Sequence, residues 1–283
     1  MSALAAVAAR LRCPHCGAAL SPAERSLRCA RGHSYDVARA GHVSLPAPRV
    51  KTSTGDSAEM VAARNAFLGA GHYAPLARAL LDAAERANTH GIQDACVVDL
   101  GAGTGYHLAA LLGTFASWRG LALDASRPAL RSALRAHPRI AAVVCDVWHP
   151  LPLRDGAADL LVSVFAPRNA GEIARVLSPG GALIVVTPTR MHLHQVVSTI
   201  GMIRVDPDKQ ARLSAKLSPY LRPVRRRRVD FDMTLDHDAV RALVAMGPNA
   251  HHLDATTVQD HLERLPQHLR VTASTTVETL IHS

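Results

Sequence analysis

Long hydrophobic runs are missing from this sequence. No apolar stretch approaches the roughly 20 residues that a membrane span needs, which excludes a helical membrane protein. The apolar start, Ala3 to Ala9, is short and no basic residue precedes it, so a small helix or arm is expected there and not a secretory leader. Cysteines number five, an odd count that completes no disulfide framework, and with no leader they point to a reducing, cytoplasmic setting. Internal repeats of solenoid length are absent. What the chain does have is 283 residues, room for one large or two modest domains, and 48% hydrophobic content, ample for a core.

Acids are scarce near the amino terminus. Residues 1–51 hold Glu24 and Asp36 against eight Lys/Arg (Arg10, Arg12, Arg25, Arg28, Arg31, Arg39, Arg49, Lys51), a local +6 out of a net +9. Concentrated positive charge suits a polyanion. A generally Ala/Arg-rich composition is the competing explanation; the asymmetry favours the polyanion.

The same region reads Cys13-Pro14-His15-Cys16, then Cys29 after twelve residues and His33 after three more. Two knuckles of this spacing each offer two ligands to one tetrahedral zinc. A segment this short cannot bury enough surface to hold itself, so a metal would do much of the folding. His15 is an alternative ligand, but the two-by-two spacing favours His33. Four protein ligands leave no open position, so the zinc is expected to be structural. Pro46, Pro48 and Lys51 to Gly55 then read as a linker, dividing the chain into residues 1–50 and 51–283.

Beyond the linker, Asp56 to Glu59 can cap a helix running to about Leu68, and a second helix is expected from Pro75 to about Thr89. The centre of the chain is Val97-Val98-Asp99-Leu100-Gly101-Ala102-Gly103-Thr104-Gly105. A β-branched apolar run ending in an acid is a buried strand entering its turn, and the glycines let the backbone double back. The next helix, from about Tyr106, aims free N–H groups over that turn, as a cradle for a nucleotide-like ligand requires. The turn has no lysine and lacks dinucleotide-fingerprint spacing, so it is neither a P-loop nor that fingerprint. Asp124 closes the next apolar run, where a carboxylate suits the hydroxyls of a ribose. Asp146 closes a third.

Strands are expected near 96–100, 119–123, 140–145, 159–164 and 181–187, with helices near 105–112, 127–136 and 171–176. This alternation means an α/β fold with a parallel sheet. Phe165 to Asn169 follows the fourth strand: Phe165 and Pro167 can wall a planar group, while Arg168 and Asn169 can bond its edge. Asn169 is equally suited to cap the following helix. Leu177 to Gly181 reads as a tight turn. His192 or His194 could face the pocket. A helical insertion is expected over 201–222. Arg225 to Arg228 is a basic run before a strand at Val229 to Leu235, and Met246 to Asn249 is a turn between helices. Val271 to Leu280 suits a last, antiparallel strand.

The glycine turn with Asp124 and Asp146 resembles the class I methyltransferases that use S-adenosylmethionine, whose sheet is Rossmann-like. Together with the zinc pattern, the stretches Gly-Asp-Ser-Ala-Glu-Met at 55–60, Ala-Gly-His-Tyr at 70–73, Ala-Pro-Arg-Asn at 166–169 and Met-Gly-Pro at 246–248 closely resemble the bacterial 23S rRNA (guanine-N1)-methyltransferases. That family includes a macrolide (tylosin) resistance branch. The resemblance implies zinc at Cys13, Cys16, Cys29 and His33, and cofactor contacts at Tyr73, Gly103, Thr104 and His192. Asp124 matches the ribose-binding acid of class I enzymes, and Asp99, Gly101 and Asp146 complete the expected cofactor cradle. It further implies 23S ribosomal RNA as substrate and an association with dimers. Thr104 departs from members that carry glutamate there.

Guanine N1 is a poor nucleophile while protonated, so a base is expected at the strand ends, Asp146 or His149, with Arg168 facing the charge that develops at O6. Two other readings compete: a small-molecule methyltransferase of secondary metabolism, since Glu172 to Gly181 resembles those enzymes, and a non-catalytic binding factor. The basic zinc module opposes the first. The intact turn and Asp124 oppose the second.

Overall fold

Ser2 caps the first helix, its hydroxyl accepting from the Ala5 N–H at 3.2 Å; α1 (Ala3–Val7) then tightens into a 3-10 turn (Ala8–Arg10). The computed structural model to which these elements belong describes residues 2–45, 55–87, 94–200, 209–247, 255–264 and 266–283. Three antiparallel strands follow as a small sheet, β1 (Leu20–Ala23), β2 (Ser26–Cys29) and β3 (Ser34–Asp36). The next strand, β4 (Val43–Ser44), joins the large sheet instead.

Ser57 caps α2 (Ala58–Gly69) by accepting from the Met60 N–H, and α3 (Ala74–Arg86) carries Pro75 in its first turn, where a missing N–H costs nothing. Alternation then sets in: β5 (Cys96–Leu100), α4 (Tyr106–Thr114), β6 (Arg119–Asp124), α5 (Arg127–Ala136), β7 (Ile140–Val144), β8 (Ala158–Val164), α6 (Ala170–Val176), β9 (Leu177–Pro188) and α7 (His194–Ile200). The chain closes with α8 (Lys209–Leu217), β10 (Leu221–Asp236), α9 (His237–Ala245), α10 (Ala255–Leu262) and β11 (His268–His282).

The large sheet has the order β10-β11-β9-β8-β5-β6-β7-β4. Neighbours from β9 to β4 run parallel, while β11 is antiparallel to both β9 and β10. Strand order reverses between β5 and β8, and the loops leaving the carboxyl ends of those strands must diverge there, opening a crevice. Alternate residues feed two cores. Val97, Ala122, Val162 and Ile184 pack with Leu76, Leu108 and Leu130 of the helices on one face. Val98, Leu121, Leu161 and Leu183 pack on the other with Ile173 and with Leu4, Leu11, Leu20 and Val43 of the amino-terminal module. That module therefore shares its apolar interior with the sheet.

Several elements depart from the sequence expectation. β10 begins at Leu221, so the arginine run lies inside an edge strand. Arg226 pairs with Glu278 at 3.0 Å, Arg227 with Asp82 at 3.0 Å and Arg228 with Asp230 at 2.7 Å, so most of that charge is neutralised within the fold. Leu177 to Gly181 is part of β9, with a register shift against β8. In place of one helical insertion there is α8 followed directly by β10, and α7 is an additional helix. The expected linker beyond Leu45, the end of the helix toward Thr89, residues 201–208 of the insertion, and Pro248 and Asn249 of the turn lie outside the described residues. Among the described residues no helix is long and apolar enough to cross a membrane.

Candidate active site and metal centre

Two tight turns build the metal centre. In the first, Gly17 (φ 73°) lets its N–H reach the Cys13 carbonyl at 2.8 Å; in the second, Gly32 (φ 84°) does the same to Cys29 at 3.0 Å. The ligand atoms of Cys13, Cys16, Cys29 and His33 thereby come within 4.8 Å of one another. Three of the cluster's six edges are 3.7 Å (Cys16 Sγ to Cys29 Sγ), 3.5 Å (Cys13 Sγ to His33 Nδ1) and 3.4 Å (Cys29 Sγ to His33 Nδ1). Bonds of about 2.3 Å to sulfur and about 2.0 Å to nitrogen at tetrahedral angles require edges of about 3.8 and 3.5 Å. The donor set fits zinc. His15 stands outside it, stacked on His33 with ring centroids 5.2 Å apart. The Tyr35 hydroxyl lies 3.0 Å from Cys13 Sγ and can donate to the metal-bound thiolate.

The crevice is built on the turn after β5. Gly101 holds φ 69°, and a Cβ there would stand 2.6 Å from the Ala166 side chain, so the loop after β8 closes directly over this glycine. The Gly103 N–H donates to Asp124 Oδ2 at 2.8 Å and the Ser126 N–H to Asp124 Oδ1 at 2.8 Å. Asp124 is thus fixed against the turn with a lone pair left on each oxygen. Asp99, on the same face of the sheet, is buried; burial and then the Asp124 charge push its pKa up to about 7. Thr104 is buried, and the cleft of about 580 Å³ that it lines with Asn65, Leu68 and Tyr106 lies between α2, α4 and α5, where none of Tyr73, Asp99, Gly101, Gly103, Asp124, Asp146 and His192 takes part.

Tyr73 and His192 meet in the fold, with Tyr73 Oη 3.2 Å from His192 Nε2. The Ser274 N–H donates to His192 Nδ1 at 3.2 Å, so that nitrogen must be the acceptor and Nε2 carries the proton. His192 therefore donates to the Tyr73 oxygen, leaving the tyrosine O–H free to donate onward. Burial pushes the His192 pKa down to about 4, which keeps the ring neutral. Phe165, at φ 55°, lies 5.4 Å from His192 and 6.3 Å from Tyr73 between ring centroids, completing an aromatic wall. His194 instead opens α7, with Nδ1 3.0 Å from the Met191 carbonyl, which favours His192 as the pocket histidine.

Arg168 is half-buried, its Nη1 is buried with no hydrogen-bond partner among the described residues, and burial lowers its pKa to about 10. A guanidinium in that state lacks an acceptor that a bound ligand could supply. Asn169 caps α6, its Oδ1 accepting from the Glu172 N–H at 3.3 Å, while its Nδ2 donates to the Trp148 carbonyl at 3.0 Å. Asp146 Oδ1 accepts from the Trp148 N–H at 3.0 Å, and its Oδ2 lies 3.8 Å from His149 Nε2. Sequence reasoning missed Arg64 altogether. Its guanidinium pairs with Asp56, its Nη2 donates to the Met246 carbonyl at 2.5 Å, and a Cβ on Gly103 would stand 2.9 Å from its Nη1. No spacing rule connects residues 56, 64, 103 and 246; only the fold does.

A glycine turn after β5 with acids at or just past the ends of β6 and β7, over a sheet whose order reverses beside it, defines an S-adenosylmethionine-dependent methyltransferase, here carrying a zinc ribbon. The family described as "Methyltransferase domain" matches residues 97–181, and the zinc-ribbon family described as "RlmA, N-terminal" matches residues 11–53. The chain is 49% identical to the 23S rRNA (guanine(748)-N(1))-methyltransferase of Streptomyces fradiae over 266 residues, covering 94% of each protein. It is 46% identical to a protein of Micromonospora griseorubida provisionally named a 23S rRNA (guanine-N(1)-)-methyltransferase, covering 93% of this chain and 94% of that one. A methyltransferase solved in complex with the Haloferax volcanii Trm112 activator shares the fold, with a TM-score of 0.50 at 21% identity over 80% of this chain and 98% of that one. The chain belongs to the 23S rRNA (guanine-N1)-methyltransferase family.

Proposed function

We propose that this protein transfers a methyl group from S-adenosylmethionine to N1 of a guanine in a hairpin loop of 23S ribosomal RNA. The observation that carries this reading is the docking of the ribbon on the catalytic sheet. β4 pairs in parallel with β7, the Leu45 N–H reaches the Val144 carbonyl at 3.0 Å, and the loop leaving β7 holds Asp146. RNA gripped by the basic module thus lies next to the crevice. The small-molecule alternative gives the basic surface of that module nothing to do.

The cofactor, when bound, supplies an electrophilic methyl carbon. Gly101, Gly103 and Thr104 would line it, Asp124 would hold its ribose hydroxyls, and Asp99 would add negative charge near its cationic end. Arg64, lying on Gly103, is placed for its carboxylate, and Tyr73, with its hydroxyl aimed by His192, for the opposite wall. Asp146 is the base we favour for the guanine N1 proton, with His149 beside it, and Arg168 stabilises the charge that develops at O6. Closure of the 165–168 loop over Gly101 excludes water from the transfer.

Residues 1–50 act as the RNA-recognition module and 51–283 as the catalytic domain, in a cytoplasmic enzyme that pairs as a homodimer. Because the relative from S. fradiae is named for guanine 748, we extend the reading to protection against macrolides. The test is incubation with labelled S-adenosylmethionine and a 23S hairpin transcript beside a panel of small acceptors. Modification of the loop guanine alone, with RNA affinity that falls steeply with added salt, supports the reading. Transfer to a small acceptor and none to RNA overturns it.

A further inference from the structure

Among the described residues the indole of Trp148 makes no ring contact and no hydrogen bond. It is 57% exposed, while the chain's other tryptophan, Trp118, is buried and stacked on Phe115 at 3.8 Å between ring centroids. An exposed indole on a mobile loop would mean little. This one stands on a backbone fixed from both sides: its N–H donates to Asp146 Oδ1 at 3.0 Å and its carbonyl accepts from Asn169 Nδ2 at 3.0 Å. The loop is anchored again three residues on. The Leu151 N–H donates to Glu172 Oε2 at 2.7 Å, and Arg12 of the ribbon reaches the Leu151 carbonyl through Nε at 3.3 Å. The Arg12 N–H also donates to the Pro152 carbonyl at 3.1 Å. The segment bearing Trp148 therefore bridges the zinc module, the end of β7 and the cap of α6, on the rim of the crevice. Arg168, next in sequence to Asn169, carries a buried nitrogen that lacks an acceptor among the described residues.

We propose that Trp148 is a stacking platform for an unpaired nucleobase of the RNA, next to the guanine that enters the crevice. This rests on the rRNA reading above. A guanine in a folded loop must leave its stack to reach the cofactor, and its neighbours lose a stacking partner when it does. A rigid, flat, solvent-facing indole replaces that partner without reading sequence, because every base offers a π-face. The fixed backbone means no loop ordering opposes the contact.

The experiment uses the full-length, zinc-loaded protein and its W148A and W148F variants. Affinity is measured for a 23S hairpin transcript with an open loop and for the same stem extended as a fully paired duplex. S-adenosylmethionine affinity is measured by calorimetry, and solution mass by light scattering. W148A is expected to weaken hairpin binding about tenfold, the order set by loss of one stacked base, while W148F stays within about threefold of wild type. Duplex affinity, cofactor affinity and mass are expected to be unchanged. A hairpin loss below about twofold overturns the proposal, as does an equal loss on the duplex. Loss of cofactor affinity would make Trp148 a wall for the adenine ring, and a change of mass would make it a contact between copies; either also overturns it. Wild-type methylation of the hairpin with W148A binding normally sinks this inference alone, whereas a wild type that neither binds nor methylates the hairpin sinks the rRNA reading.

Discussion

On the function proposed above, Asp99 ties cofactor binding to pH. Its carboxyl is buried beside Asp124 and its pKa is pushed up to about 7, first by loss of water and then by its neighbour's charge. S-adenosylmethionine brings a fixed sulfonium charge and an ammonium, and positive charge in the crevice favours the ionised acid. At pH 7 the carboxyl of the free enzyme is about half protonated, so binding that returns it toward the ordinary range releases about half a proton. At pH 6 the release rises to about nine-tenths of a proton, and at pH 8 it falls to about a tenth. Cofactor affinity accordingly climbs about tenfold per pH unit below 7 and levels off above it. Titration calorimetry in buffers of different ionisation heat reads the proton count directly, and D99N abolishes both the release and the slope. The same shift has a sign in stability. A raised pKa in the folded state means protonation favours the fold, so cofactor-free stability falls as pH rises through the interval between the ordinary value of 3.8 and about 7. About three pKa units cap that loss near 4 kcal/mol. Buffer-independent binding heats between pH 6 and 7, with flat affinity, would refute the placing of Asp99 against the cofactor's positive end.

Three further outcomes follow from the geometry. G101A forces a methyl group to within 2.6 Å of Ala166 at φ 69°, so it should displace the 165–168 loop, cost about 1–3 kcal/mol of stability and weaken cofactor binding, as denaturation and calorimetry will show. Exhaustive chelation, or C29S, should release one zinc per chain and lower the melting temperature, because the ribbon's residues belong to one of the sheet's two cores; RNA affinity should fall more than cofactor affinity. N169A removes the α6 cap at about 1 kcal/mol and frees the Trp148 carbonyl, so transfer to RNA should drop while cofactor binding holds, measured on the same preparation.

What the sequence discloses is what short-range chemistry demands. Gly101, Gly103 and Gly105 must be glycine for a turn at positive φ, and Asp124 stands at a strand end because the chain leaves the sheet there. Cys13, Cys16, Cys29 and His33 betray themselves by spacing, since two knuckles are local objects. Tyr73 and His192 lie 119 positions apart, and resemblance singled out each of them where periodicity could not, without showing that they touch. Arg64 stayed hidden because its partners, Asp56, Gly103 and Met246, meet only in three dimensions. The arginine run misled for a related reason. Four consecutive cations have little intrinsic strand preference, yet on β10 three of them, Arg226, Arg227 and Arg228, pair with Glu278, Asp82 and Asp230, and the run discourages pairing at an open sheet edge. β4 is two residues long, too brief for any alternation to announce it.

The most direct test of the central claim is the site of methyl transfer. A 23S hairpin transcript is treated with the zinc-loaded protein and S-adenosylmethionine, and the product is mapped by reverse-transcription stops and nucleoside mass spectrometry. The account predicts a single N1-methylguanosine in the loop, lost when the ribbon's zinc is removed. A methyl group on another atom or outside the loop, or full activity in metal-free protein, would contradict it.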